Sequence, residues 1–240
     1  MYKNKKILAI VMARGGSKGI KRKNLKKING YSLVAISAKV LKKIKSIDKS
    51  IISSDSNQII NEGIKLGLKK IFKRPALLSG DIVSDYDVIK HGLLSAEKFF
   101  KTKYDLTLMI QPTSPLRTVK HINDCIKLYF KKKGTTSVWS VSKIDTKFHP
   151  MKILEIKNNF LKYFHKKGKK IIARQQLDQK YYRNGVCYVV NRKTILKEKN
   201  LLGNKSVPYI MSDKVINIDS IEDLDLASFY FNKLFRKKKF

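Results

Sequence analysis

The residues best placed to do chemistry follow the first apolar run, in residues 13–24, ARGGSKGIKRKN. Gly15, Gly16 and Gly19 let a backbone turn tightly and bring N–H groups near an anion, while Arg14, Lys18, Lys21, Arg22 and Lys23 supply positive charge. That is a phosphate cradle in kind. It is neither the GxxxxGK(S/T) loop nor the GxGxxG fingerprint, so it implies neither an ATPase nor a dinucleotide enzyme. Taken alone, an ordinary surface turn is an equal reading. A second segment, QPTSPLR at residues 111–117, sets two prolines around Thr113 and Ser114; this makes a rigid loop in any protein, with Arg117 available to cap the next helix. Lys152 and Arg174 belong to a chain with 53 Lys and Arg, where a single basic residue is ordinarily a solvated surface charge.

Alternating strand and helix signals surround these segments. Residues 5–13 form a continuous apolar strand of the kind buried inside a parallel sheet. Leu33, Ile36, Val40, Leu41 and Ile44 recur at helical spacing. Residues 50–55 read as a second strand, followed by a helix through Ile59, Ile60 and Ile64 that Gly67 can end. Residues 68–72 suggest a third strand, and Asp85 a cap for the helix carrying Val88, Ile89, Leu93 and Ala96. Residues 104–110 and 135–141 are further strands, separated by a helix beginning at Thr118. The pattern predicts a doubly wound, mostly parallel α/β sheet with ligands outside the carboxyl ends of its strands.

After Pro150 the pattern changes. Residues 152–164 suggest a β-hairpin turning at Asn158 and Asn159, outside the main sheet. Strand signals return at 185–190, 209–211 and 215–218. The last helix begins at Ser220, with Asp223 completing a capping box. This divides the chain into a nucleotide-binding α/β core (1–141), a small β-rich arm (142–184) and a return to the core with a metal-site strand and C-terminal helix (185–240).

Composition bounds the rest. Hydrophobic residues make up 42% and charged residues 30%, a globular balance, and no apolar run approaches the roughly 20 residues needed to cross a bilayer. No membrane partner is expected. The basic start at residues 1–6 is followed by too short an apolar run for a signal peptide. Cys125 and Cys187 stand apart without metal-type spacing, which suits a reducing cytoplasm. The net charge of +35 invites polyanions, yet its lysines are spread along the chain, including runs at 131–133, 166–170 and 237–239, rather than gathered on one motif.

Residues 10–34, IVMARGGSKGIKRKNLKKINGYSLV, resemble the acylneuraminate cytidylyltransferases, the CMP-sialic acid synthetases. RPALLSGD (74–81), DVIKHGL (87–93), QPTSPLR (111–117), HPMK (149–152), ARQQL (173–177), NGVCY (184–188) and INIDSIEDL (216–224) match the same family in order. The resemblance covers all but the lysine-rich tail. It implies a nucleotide-diphospho-sugar transferase type of fold and the coupling of CTP to a nonulosonate sugar, giving CMP-sugar and pyrophosphate. It also implies a homodimer formed through the arm. By resemblance, Arg14 and Lys23 contact the triphosphate and, with Asp219, form the catalytic set. Ser17, Asn24, Arg74 and Ser84 are implied at the nucleotide, and Gln111, Lys152, Arg174, Arg183 and Tyr188 at the sugar, Lys152 reaching a neighbouring subunit's site and Tyr188 equally a core residue.

Two departures stand out. The family has two aspartates two residues apart that hold Mg²⁺, or in its place Mn²⁺; here they read Asn217 and Asp219, and the lost carboxylate should weaken the metal. Many members also carry an arginine two residues before the Asn-Gly pair, where this chain has Tyr182 and, one position later, Arg183. A one-residue shift on a strand reverses the side chain's face, so Arg183 compensates only if the segment is irregular. The sugar stays open among N-acylneuraminate, legionaminate and pseudaminate. The reading from a different class is an inactive relative that binds nucleic acid, against which stands the absence of any recognition helix or stacked-aromatic motif.

Overall fold

The structure is a computed structural model describing residues 2–235. Met1 and the basic run at 237–239 lie outside the described residues. Its elements are β1 (Ile7–Met12), β2 (Lys27–Ile28), β3 (Tyr31–Ser32), α1 (Leu33–Lys42), β4 (Lys49–Ser53), α2 (Asn57–Lys65), α3 (Asp85–Phe100) and β5 (Leu106–Ile110). Then come α4 (Val119–Lys131), β6 (Ser137–Lys143), β7 (Leu154–Lys157), β8 (Phe160–Tyr163), β9 (Tyr181–Asn191), α5 (Arg192–Leu196), β10 (Ser206–Met211) and α6 (Ile221–Phe235).

Six strands form one sheet in the order β10-β6-β9-β5-β1-β4. All ladders are parallel except those of β9, which runs antiparallel between β5 and β6. β1 shows why the sheet must be covered on both faces: alternate residues point opposite ways. Ile7, Ala9 and Val11 pack with α1, α2 and α4, whereas Leu8 and Ile10 pack with α3 and α5. The expected doubly wound α/β fold is what these residues build.

Helix starts follow local chemistry. The hydroxyls of Ser32, Ser56 and Thr118 accept N–H bonds from the first turns of α1, α2 and α4. For α3 the cap is Ser84 rather than Asp85, which is instead its first helical residue. Two strand expectations fail. Residues 68–72 make only an isolated bridge, Ile51 to Lys69, and residues 215–218 join no ladder. Ile216 and Ile218 are buried all the same, in a third apolar cluster with Leu33, Ile36, Ala227 and Phe231. The segment expected as a metal-site strand is therefore irregular chain held between α1 and α6.

The arm is a hairpin, β7 with β8, whose turn residues Asn158 and Asn159 both adopt left-handed backbone at φ 53° and 62°. β6 runs on to Lys143 and β9 starts at Tyr181, so both edges of the 142–184 segment lie inside strands of the main sheet.

Candidate active site

The loop after β1 crosses the carboxyl end of the sheet. Asn24, 6% exposed, donates from Nδ2 to the Arg14 carbonyl at 2.9 Å and so closes the loop on itself, while its Oδ1 is buried without a partner. Lys23 Nζ donates to the Ile218 carbonyl at 2.9 Å and pairs with Asp219 Oδ1 at 2.8 Å, tying the loop to the chain before α6. Gly19 allows that approach, because a Cβ there would meet the Asp219 carbonyl at 2.6 Å. Not every glycine amide is free for an anion: that of Gly15 is donated to Asp55 at 2.7 Å. Across the loop, Asp81 pairs with Arg14 and with Lys18 at 2.8 Å. Hydrogen bonds from these two cations, Lys18 first, hold its carboxyl below the usual range.

The opposite wall is built by QPTSPLR. Arg117, fully buried, neither caps α4 nor reaches solvent. Its guanidinium donates to the carbonyls of Val186, Gln111 and Gly185 and, at 3.1 Å, to Ser37 Oγ. Burial pushes its pKa down to about 10, which leaves it charged at neutral pH. The ring of oxygens replaces the water it gives up. This cation fastens the loop after β5 to β9 and α1. Beneath it, Gly185 takes φ +71°, and a Cβ there would meet Ser114 Oγ at 2.7 Å, Gln111 Oε1 at 2.8 Å and Asn217 Oδ1 at 3.2 Å. Ser114 donates to Asn217 Oδ1 at 2.7 Å. The register of β9 against β6 shifts between Trp139 and Val141, a β-bulge that surrounds Asn184 and Gly185.

Arg74 enters from the connection between α2 and α3, 5% exposed, and reaches the end of β4, donating from Nε to Ser53 Oγ at 3.0 Å and from Nη2 to the Ser53 carbonyl. Burial lowers its pKa to about 10, opposed by Asp55. Asp85, half-buried at the start of α3, moves the other way: burial raises its carboxyl, partly offset by Arg183 and Arg74.

Groups from each of these segments line one cavity of about 670 Å³. Arg14, Ser17, Lys18, Lys23, Asn24 and Arg74 line one side; Gln111, Arg183, Asn217 and Asp219 also line it, with Asp81 and Asp85. Five segments far apart in sequence thus converge on a cationic hollow at the carboxyl ends of β1 and β5, where α/β sheets bind ligands.

Known proteins agree with that geometry. A family model described as cytidylyltransferase matches residues 8–230. The chain is a member of the cytidylyltransferase family. It is 27% identical to post-translational flagellin modification protein B of Campylobacter coli, over 93% of this chain and 94% of that one. With CMP-N,N'-diacetyllegionaminic acid synthase of Campylobacter jejuni it shares 28%, over the same proportions. With N-acylneuraminate cytidylyltransferase of Escherichia coli it shares 29%, over 97% of this chain and 54% of that longer one. Among solved structures, CMP:2-keto-3-deoxy-manno-octonic acid synthetase complexed with CTP superposes with a TM-score of 0.70 at 11% identity, covering 96% of this chain and all of that one, a likeness of fold.

In this cytidylyltransferase, four residues expected at the site do not line the cavity. Ser84 lies in an adjoining hollow, and its hydroxyl is engaged by Asp87, accepting from its N–H at 3.1 Å and donating to its carboxylate at 2.6 Å. Lys152 and Arg174 are exposed on the arm. Tyr188 is core: 2% exposed, its ring lies 4.3 Å from Trp139, and its hydroxyl accepts the Gly185 N–H at 2.7 Å. It supports the bulge from below. Arg183 does line the cavity, because the bulge breaks the alternation that would have turned it away. Asp81, Asp85 and Arg117 went unassigned in the sequence. Asp81 and Arg117 stand inside matched motifs, and Arg117 and Asp85 read only as helix caps.

Among the described residues no group of three or more His, Cys, Asp or Glu forms a ready metal cage. Of the two positions that the resemblance assigns to a metal, Asp219 offers a carboxylate, engaged by Lys23, and Asn217 offers Oδ1, engaged by Ser114; the cavity's other carboxylates are Asp81 and Asp85. Such a set fits a Mg²⁺-like ion that keeps most of its ligands as water and substrate phosphate, the usual mode for that ion. No helix among the described residues is long and apolar enough to cross a membrane.

Proposed function

We propose that this cytidylyltransferase couples CTP to a nonulosonate sugar, forming CMP-sugar and pyrophosphate, with N-acylneuraminate, legionaminate and pseudaminate as the candidate acceptors. The observation that carries the reading is the joining, in one cavity, of the cationic loop with Gln111 and Arg183 from the opposite wall and with Asn217 and Asp219 from the chain before α6. The relative named for diacetyllegionaminic acid matches this chain over nearly its full length, which supports including diacylamino sugars.

In the proposed reaction the oxygen of the anomeric hydroxyl attacks the α-phosphorus of CTP. The bond from that phosphorus to the pyrophosphate oxygen breaks, pyrophosphate leaves, and the hydroxyl proton passes to solvent. Such a displacement depends on alignment and on neutralising charge at the phosphates. Arg14, Lys18 and Lys23 supply fixed positive charge on the nucleotide side, and Ser17 a hydroxyl. Asn24 Oδ1, an acceptor without a protein partner, offers itself to an N–H or O–H of the nucleotide, with Arg74 beside it in the same wall. Gln111 and Arg183 face the sugar. Asp219, with the neutral oxygen of Asn217, would hold a Mg²⁺ or Mn²⁺ ion, whose contribution is to offset phosphate charge.

The arm exposes Ile156 (75%), Phe160 (71%), Leu161 (69%) and Ile172 (94%), an apolar display that a second copy of the chain would cover. In the proposed homodimer, Lys152 and Arg174 are the arm's contribution to the partner's cavity.

The test is a panel of nonulosonates with CTP and Mg²⁺ or Mn²⁺, read by pyrophosphate release. Release that requires one of these sugars is the expected result. Release indifferent to the sugar, or none with any of them, would sink the proposal.

A further inference from the structure

Two substrates that both carry negative charge should find few carboxylates in their cavity, yet Asp81, Asp85 and Asp219 all line it. Asp81 is neutralised by Arg14 and Lys18, and Asp219 by Lys23. Asp85 is different. It forms no ion pair among the described residues and accepts one long hydrogen bond, from Gln111 Nε2 at 3.4 Å. Its place is fixed by the backbone, since it is the first residue of α3, behind the Ser84 cap. The positive end of the helix favours a carboxylate there against the burial that raises its pKa, and apart from the long bond from Gln111 its oxygens have no hydrogen-bond donor among the described residues.

Its surroundings say which ligand group it meets. Asp85, Arg183 and Val83 line both the main cavity and a second hollow of about 710 Å³, otherwise walled by residues such as Trp139, Leu201 and Leu202. No residue of the 13–24 loop reaches that second hollow. Asp85 therefore stands where the two hollows meet, beside Gln111 and Arg183 and within electrostatic reach of Arg74, while the 13–24 loop lines only the main cavity. An ionised carboxylate only accepts hydrogen bonds, so it repels phosphate and a sugar carboxylate and pairs with a neutral N–H or O–H.

We infer that Asp85 is a specificity-determining residue that accepts a hydrogen bond from an acylamino N–H or a hydroxyl of the acceptor sugar. The inference rests on the proposed reaction. It selects sugars that present a donor at the junction of the two hollows and disfavours those that present only an acceptor there, because a half-buried carboxylate would then lose water without gaining a partner.

The experiment compares wild type, Asp85→Ala and Asp85→Asn by pyrophosphate release, using the sugar that wild type accepts. Single analogues of that sugar follow, in which each N–H or O–H other than the anomeric hydroxyl is replaced by oxygen or hydrogen. Asp85→Ala should raise KM for the sugar about tenfold or more, the loss of a hydrogen bond to a charged group, and leave KM for CTP within about twofold. One analogue should lose a similar factor with wild type and nothing further with Asp85→Ala, the non-additivity expected of two groups in contact. Asp85→Asn, which keeps the size and one acceptor oxygen, should fall between, and it carries the same comparison if the alanine variant does not fold. Three results would overturn the role: an equal rise in KM for CTP, losses that add for every analogue, or an unchanged KM for the sugar. Wild-type turnover in the same assay separates those failures from failure of the reaction itself; no wild-type turnover with any sugar would overturn both.

Discussion

Lys23 connects the two halves of the candidate site. With its side chain only 15% exposed, it holds the Ile218 carbonyl and the Asp219 carboxylate, and it also faces the cavity. A lysine so placed has one of its three N–H donors left for substrate phosphate, with its charge shared with the carboxylate. Lys23→Ala should lower kcat for pyrophosphate release by about a hundredfold or more, the scale of losing one preorganised donor to a developing charge. The same variant should unfold at nearly the wild-type temperature, since one partly exposed hydrogen-bonded pair is worth about 1 kcal/mol. Turnover close to wild type would remove Lys23 from the chemistry. At this scale the sequence was legible where motifs were dense: Arg14, Ser17, Lys23, Asn24, Arg74, Gln111, Asn217 and Asp219 share the cavity. It was not legible where a role depends on burial. Arg117 read as a cap or a loop residue, and only the fold shows it enclosed by four oxygens from three segments. Tyr188 likewise points into the core, a distinction its residue type could not make.

Elements aim these residues, and two devices decide the aim. The first is the bulge in β9, which needs Gly185 at positive φ beneath Ser114, Gln111 and Asn217. Gly185→Ala should destabilise by about 2 kcal/mol or more through left-handed strain and the clash of its Cβ with backbone-anchored side chains. Chemical unfolding measures this, and an unchanged midpoint would mean that the wall is softer than its packing shows. The second device is the start of α4, where Thr118 and His121 form a reciprocal capping box: His121 Nδ1 accepts the Thr118 N–H at 3.3 Å, and Nε2 lies 3.1 Å from Asp213. Burial lowers the imidazole pKa, with Asp213 opposing. The unfolded chain then binds more protons than the folded one just below the ordinary histidine value of about 6.5, so this contribution is present at higher pH and lost on acidification. His121→Gln keeps a capping-box residue without the titration. Urea unfolding at pH about 7.5 and about 5.5 should show wild type losing more stability than the variant; parallel losses would refute the assignment. The strand readings at 68–72 and 215–218 failed for a related reason. A short apolar run reports burial, and burial came from packing under helices rather than from a ladder.

For the whole molecule, alternating strand and helix signals were enough to reach the doubly wound α/β sheet, because a parallel sheet must bury both faces and writes that need into every strand. What composition could not place was the +35 charge. At the cavity it takes a definite form: Arg14, Lys18, Lys23, Arg74 and Arg183 line one hollow, and in the proposed reaction they would meet two anionic substrates there. The arm is the other large-scale feature, and its exposed Ile156, Phe160, Leu161 and Ile172 predict a dimeric mass in solution; a monomer at assay concentrations would count against a shared cavity. The central claim is that this cavity joins a cytidylyl group to a nonulosonate. Phosphorus NMR of the protein with CTP, Mg²⁺ and the panel of sugars tests it most directly. The account predicts that with one sugar the three CTP resonances give way to one phosphodiester signal and stoichiometric pyrophosphate. CTP that persists with every sugar, or that yields CMP and pyrophosphate with no phosphodiester, would contradict it.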